Sequence, residues 1–454
     1  MADILTLPTE YERSRGDLPA MPLINMFAEQ SPTDNKLILQ SRPGLEIDSV
    51  YPEGVPVRAV YSEAGVFNND VFAVVGYNVY RNAIKVGVID GDDKVSFASF
   101  ADMTFICAGN SLWLYDGIMI SAIPLPDNFK ALKVEVGSSR LIVLDAGTQR
   151  IYWSEPLTIG VPALNFAEAE SSPDNLFDML FLGDTLILFG EDTTEFWMVW
   201  TADPDIPFVP IVGRTYPKGV ISTGAATRVI STFAWITQTG QLCIAKPSNI
   251  ISTPELEIRI AASTLTKTWT FNMDQTEYLA VTLDRETWIV NPLAPSLWSK
   301  FETVGLSNWE PHCYANGHFG SSHTSRTLNF GNKNDYSDPD DNLLERRFRA
   351  WLPTTTDSAV INNLSLKTNP GGTVFETGQY SNPIVEMRQS RDGGHTWNNW
   401  RATSMGKRGK YREMVRWLGC GLFSYPGILF EFRVTDPIPF RVSSVYVNEP
   451  YGGF

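Results

Sequence analysis

The sharpest chemical signal in the chain is SRDGGHTW, running from Ser390 to Trp397. It fits the Asp-box pattern Ser-x-Asp-x-Gly-x-Thr-Trp at every defined position: Ser390, Asp392, Gly394, Thr396 and Trp397. A carboxylate in this setting accepts backbone N–H bonds across a tight turn, the glycine takes a strained backbone angle, and the tryptophan packs on the sheet beneath. That is the chemistry of a turn. A second cluster, HCYANGHFGSSH, crowds His312, Cys313, His318 and His323 together. Imidazole and thiolate are zinc ligands, but the spacing is not a recognised ligand pattern, and the Gly-Ser run before His323 reads as loop. No GxSxG elbow and no phosphate-cradling glycine loop occurs, so the reading assigns no catalytic residue, no metal and no cofactor. Arg15-Gly16-Asp17 spells an integrin tripeptide and is read as coincidence.

Charge supplies the third signal. Between Arg388 and Arg416 eight cations stand against Asp392 and Glu413, a local balance of about +6 in a chain whose net charge is -15. The bland reading is a solvated sheet face; the functional one is a basic patch meeting an acidic surface on a neighbouring subunit or adapter and steering assembly. The candidate interface residues are Arg401, Lys407, Arg408, Lys410, Arg412 and Arg416. The acidic remainder argues against generic nucleic-acid binding, which draws its affinity from neutralising phosphates with Lys and Arg. It suits the wall of a conduit that must not hold DNA. Four well-separated cysteines, Cys107, Cys243, Cys313 and Cys420, indicate neither a disulfide framework nor a zinc ribbon. The N-terminus lacks the basic start and apolar run of a secretory signal. The most apolar stretch, Leu176 to Gly190, contains Asp178 and Asp184 and does not read as a membrane-crossing helix.

The elements that must position these residues read as β throughout. Six apolar strand pairs fold about short polar turns: at Gly76, Asp116-Gly117, Ala146-Gly147, Glu191-Asp192, Thr239-Gly240 and Asp284-Arg285. From residue 147 onward the turns fall about 45 residues apart, the period of propeller blades, because one blade cannot bury both faces of its sheet alone. The expected fold is all-β, with an extended N-terminal arm over 1–45, a β-propeller over 46–345 and a C-terminal β-sandwich-like domain over 346–454. The last boundary rests on the polar, Gly/Ser/Asn/Asp-rich stretch between about 311 and 345 and on the alternation beyond it, with Phe430, Phe432 and Val434 against Glu431 and Arg433. One short helix is expected from Ser171 to Leu180, where SSPDNLFDML offers caps ahead of apolar residues.

With these segments in hand the chain resembles the packaged-DNA stabilisation proteins of short-tailed phages, the tail hub or nozzle family. The resemblance runs almost the full length: LPAMPLINMFAEQ and LQSRPGLE in the arm, LFLGDTLILFGEDTTEFW, YPKGVISTGAATRVISTFAWIT, and then SRDGGHTW, GKYREMVRWLG and FEFRVTDPIPFRVSSVYVN. It implies a virion protein of the tail, assembled in the host cytoplasm as a homo-oligomeric, hexameric ring around the DNA channel. Such a ring prolongs the portal adapter, retains the packaged double-stranded DNA without sequence-specific binding, forms the path of genome ejection, and docks tail fibre, spike or needle proteins. It inserts in no membrane and is not an enzyme. The alternative is a glycan-binding or glycan-hydrolysing, sialidase-like virion propeller, raised by the Asp-box, which is common in sialidases, and by the 13 tryptophans, whose flat faces can stack on sugars. Against it stand the single copy of the box and the absence of an arginine cluster and tyrosine nucleophile.

Overall fold

The computed structural model describes residues 2–5, 20–30, 36–92, 94–169, 172–203, 205–331, 336–340, 342–354, 358–373 and 375–448. Each of the six expected turns joins two paired antiparallel strands. Their central strands are apolar without alternation because both faces are covered: Phe72–Val75, Arg140–Asp145 and Thr287–Val290 are buried at every position. That is the pattern of a strand packed between neighbouring sheets.

Among the described residues these hairpins grow into six sheets, and a seventh completes the circle. Blades one to six begin with the strands Val57–Tyr61, Ser96–Phe100, Ala131–Gly137, Leu176–Leu182, Ala226–Val229 and Thr266–Met273, and blade seven begins with Pro311–Ala315. From blade two onward each first strand lies against the next, and that of blade seven returns to blade one. Blades one and two meet in a shared cluster of Phe72, Val74, Ile106 and Tyr115. The chain is therefore radial. Blade five has only three strands, followed by the helix Pro254–Ala262, which Thr253 caps by accepting from Leu256 N at 3.3 Å.

Blade seven comes from both ends of the propeller. His318–Ser321 and Arg326–Phe330 continue from Pro311–Ala315, and the outer position is filled by Leu45–Val50, with Phe330 opposite Leu45 and Arg326 opposite Val50. This closes the ring non-covalently and covers an edge that would otherwise be open.

The C-terminal part is a sandwich of two sheets around one apolar core. One sheet runs Arg346–Pro353, Gly427–Val434, Ile384–Ser390, Arg401–Ser404; the other runs Met26–Gln30, Leu37–Ser41, Arg441–Val447, Ala359–Thr368, Val415–Phe423. The segment expected as an extended arm is thus largely strand where it is described. Ala2–Asp3 also pairs with Arg441–Val447, and Ile4, Leu23, Met26 and Leu39 sit in the sandwich core. The physical reason is alternation: Met26 and Ala28 face the sandwich while Phe27 packs among Trp269, Phe271 and Trp309 of the propeller.

Leu23 to Asn25 stitch the two parts together. Ile24 N donates to Arg347 O at 2.9 Å and Ile24 O accepts from Arg347 N at 3.1 Å, while Asn25 N and Lys300 N complete bonds to Lys300 O and Leu23 O at 2.8 Å each. Beside this seam Arg42, fully buried, forms a two-pronged pair with Asp338 at 2.9 and 2.7 Å and donates to Asn25 Oδ1 at 3.0 Å. Its guanidinium lies 5.7 Å from the rings of both Phe301 and Trp309.

One local expectation is overturned. The helix placed over Ser171 to Leu180 is instead the strand Leu176–Leu182, Ser171 itself lying outside the described residues. Asp174 does not cap a helix; its carboxylate accepts from Asp192 N at 2.8 Å and Thr193 N at 3.0 Å across the opposite turn. Asp178 is a buried partner of Lys133 at 2.5 Å.

Candidate interaction surface

The Asp-box forms the turn between Ile384–Ser390 and Arg401–Ser404, on the sandwich rather than on a blade. Ser390 Oγ donates to Asp392 Oδ1 at 2.6 Å and accepts from Gly394 N at 2.9 Å. The other side of the carboxylate takes Thr396 Oγ1 at 2.6 Å, and Oδ1 also accepts Thr396 N at 2.9 Å. These donors, Ser390 first and Thr396 second, hold the Asp392 carboxyl well below its ordinary value. Gly394 sits at φ +102°, a left-handed angle that a side chain would strain. Trp397 Nε1 donates to Gly394 O at 2.9 Å. Both carboxylate oxygens are occupied inside the turn.

What the box positions is an alternation of cations and indoles that the sequence reading did not foresee. Arg349 lies 5.0 Å from the Trp397 ring, Arg388 lies 4.6 Å from both Trp397 and Trp400, and Arg433 lies 4.3 Å from Trp400. Such contacts contribute about 0.5 to 2 kcal/mol each. Buried Glu431 pairs with both Arg349, at 2.9 Å, and Arg388, and Glu386 takes Arg433 at 2.9 Å. Part of the local positive balance is thus neutralised across the sheet. Cross-strand neighbours carry that signal: Arg349 opposite Glu431 and Arg388 opposite Glu431.

The six patch residues divide into two groups. Arg401 donates to Leu418 O, and Arg416 donates to Ser365 Oγ at 3.0 Å; both are tied to their own sheets. Lys407, Arg408, Lys410 and Arg412 fall in a loop, residues 407–414, that is exposed at all eight positions. Arg408 reaches the exposed Glu376. The loop is folded on itself by Lys410 N to Lys407 O at 2.9 Å and Glu413 N to Lys410 O at 3.2 Å, with Tyr411 and Met414 turned out to solvent. A groove of about 370 Å³ beside it is lined by Lys367, Thr368, Pro370, Tyr411, Met414 and Tyr446 among others.

The histidine cluster is dispersed. His312 Nε2 donates to Val57 O at 2.6 Å, and burial, with Lys267 nearby, pushes its pKa down to about 3, so the ring is neutral. His318 Nδ1 meets Asp48 at 3.0 Å and His323 Nε2 meets Asn308 Oδ1 at 3.0 Å, while Cys313 is buried and burial pushes its thiol up. Among the described residues no three His, Cys, Asp or Glu side chains are grouped to hold a metal ion.

Two family profiles match the chain: bacteriophage P22 Gp10, beta-propeller, over residues 7–314, and bacteriophage P22 Gp10, beta-sandwich, over residues 346–449. The chain belongs to the P22 Gp10 family. It is accordingly a structural protein associated with the phage tail and the virion. The Gp10 sandwich match begins at Arg346, where the strand Arg346–Pro353 begins, and the Gp10 propeller match stops inside Pro311–Ala315, before the last two hairpin strands of blade seven. Among solved structures, BBS1N in complex with ARL6DN is similar at 11% identity and TM-score 0.44, covering 66% of this chain and 99% of that one. The WD40 propeller domain of Doa1 is similar at 11% and 0.42, covering 63% and 98%. BamB from Moraxella catarrhalis is similar at 13% and 0.36, covering 64% and 97%. No curated protein sequence matches.

Proposed function

We propose that this Gp10-family chain is a ring-forming hub or nozzle subunit: six copies extend the portal-adapter channel, retain the packaged DNA, form the path of its ejection and dock fibres, spikes or a needle. Assembly takes place in the host cytoplasm, and the reading assigns the protein no catalytic step. The observation that carries it is the loop 407–414, which presents Lys407, Arg408, Lys410 and Arg412 with exposed Tyr411 and Met414 in a chain of net charge -15. A cationic loop with apolar tips fits the acidic surface of a neighbouring copy: complementary charge steers encounter and fixes register, and the apolar groups add buried area.

The propeller rim supports the same reading. The outermost strands of blades one, three and four expose Ile84 and Val88, Phe166, and Val212. In blade four the register jumps from Glu195 opposite Thr215 to Trp197 opposite Pro210, so Ile211 to Arg214 bulge outward with Val212 98% exposed. Bulges of this kind re-aim side chains at sheet edges. DNA passes through the ring of copies, not along a propeller axis: the axial cavity near Lys267 measures about 130 Å³, no passage for a duplex whose major groove alone is roughly 12 Å wide.

The experiment is reversal of Lys407, Arg408 and Lys410 to Glu. Oligomer formation, alone or on the adapter, is expected to fall by at least tenfold while thermal unfolding of the chain stays within about 2 °C, since exposed substitutions rarely change stability by more than ~0.5 kcal/mol. Assembly at the unmodified level would eliminate the loop as an interface.

A further inference from the structure

The chain carries a net charge of -15, yet the inner strands of the propeller bring four cations to one cavity. Arg58 comes from blade one, Lys94 from the approach to blade two, Lys133 from blade three and Lys267 from blade six, with Asp178 as the carboxylate that lines the same space. Asp178 is already committed, holding Lys133 at 2.5 Å and accepting from Gly224 N at 2.8 Å. Lys94 donates to Thr223 O, and Arg58 donates to Gly76 O at 2.8 Å. Lys267 is half-buried, and neither an ion pair nor a hydrogen bond holds its ammonium among the described residues.

Like charges gathered away from bulk water are unfavourable unless something neutralises them. The strain is visible in the groups themselves. Burial pulls both Lys94 and Lys267 below the ordinary lysine value, and Lys94 is lowered further by Lys267 and Lys133 while Asp178 opposes. Lys133 is neutralised by Asp178 and by the buried Glu135 at 3.8 Å, whereas no ion pair holds Lys94 or Lys267 among the described residues. Size then narrows what could neutralise these two. At about 130 Å³ the cavity is below the roughly 300 Å³ at which pockets for larger organic ligands begin, but it has space for an ion of four or five heavy atoms.

We propose that the axial cavity binds a small inorganic oxyanion, with phosphate its probe, held by Lys267, Lys133, Lys94 and Arg58. The anion completes the coordination of Lys267 and ties blades one, two, three and six together at their inner edges. The bound phosphate is free in solution, not a DNA backbone group, since a nucleic-acid strand does not fit the cavity.

Equilibrium dialysis of the full chain against radiolabelled inorganic phosphate at constant ionic strength tests this. Wild type is expected to bind one phosphate per chain saturably, Lys267→Met to bind at least tenfold more weakly, and Lys85→Met, exposed on the outer strand of blade one, to match wild type. A short DNA oligonucleotide should not compete. If Lys267→Met fails to fold, Lys94→Gln at the exposed mouth takes its place with the same expectation. No saturable binding by wild type, or equal binding by wild type and both cavity variants, would overturn the proposal.

Discussion

Arg42→Met tests how the propeller and the sandwich are held together. Methionine keeps an unbranched apolar stem against Phe301 and Trp309 and deletes every donor. The bonds lost are those to Asp338 at 2.9 and 2.7 Å, to Asn25 Oδ1 at 3.0 Å, and to the carbonyls of Pro43 and Glu302 at 3.0 and 3.3 Å. The Asp338 side chain, 1% exposed, is left without its countercharge. Removing one partner of a buried pair costs about 3 to 5 kcal/mol, because the other charge stays desolvated. That is a large share of the roughly 5 to 15 kcal/mol that stabilises a typical domain. Urea unfolding followed by tryptophan fluorescence reads the loss, with Trp309 beside the site as a local reporter. Adding Asp338→Asn should recover part of the loss, since the stranded charge is then gone, with a coupling of about 0.5 to 3 kcal/mol in the double-mutant cycle. A loss under about 1 kcal/mol for Arg42→Met, or strictly additive effects of the two substitutions, would refute the reasoning.

Other outcomes follow from the same geometry. Deleting residues 1–44 removes the strands Met26–Gln30 and Leu37–Ser41 from the sandwich but leaves Leu45–Val50 in blade seven; limited proteolysis should then digest the region 346–448 first while the propeller resists. Leu45→Ala, at a buried position opposite Phe330, should cost about 2 to 5 kcal/mol and speed amide exchange in Arg326–Phe330 before other blades. Asp392 has its folded pKa depressed by Ser390 and Thr396, so its contribution is complete above the ordinary carboxylate range and is lost as pH falls through the folded value. The stability difference between wild type and Asp392→Asn should therefore be flat above about pH 5 and shrink below about pH 4; a difference that grows on acidification contradicts the turn's role.

How much of this was legible depended on where the signal lay along the chain. The six hairpins were readable because their central strands are covered on both faces and so are continuous apolar runs broken by short polar turns. Blade seven was not, because its chain is polar for a buried reason. Glu310, 1% exposed, accepts from Ser321 Oγ at 2.7 Å, Thr324 Oγ1 at 3.1 Å and Arg326 at 2.8 and 3.0 Å, so Ser and Thr occupy places that leucine fills elsewhere. Its fourth strand, Leu45–Val50, lies more than 270 residues from its partner, beyond any local pattern. The false helix at Ser171 to Leu180 arose from reading its Ser and Asp residues as caps, whereas Asp174 is buried against the turn of its own blade and Asp178 is buried against Lys133 of blade three. At the site, the Asp-box turn followed from one contiguous motif. The alternation of Arg349, Trp397, Arg388, Trp400 and Arg433 did not, since sheet pairing brings its members together from three strands and a turn.

The most direct test of the account is an electron-microscopy reconstruction of the intact phage tail, averaged without imposed symmetry, with this chain located in it. The account predicts six copies encircling the DNA channel, each placing its loop 407–414 against an adjoining copy. A chain found off the channel axis, or present without rotational contacts to other copies of itself, would contradict it.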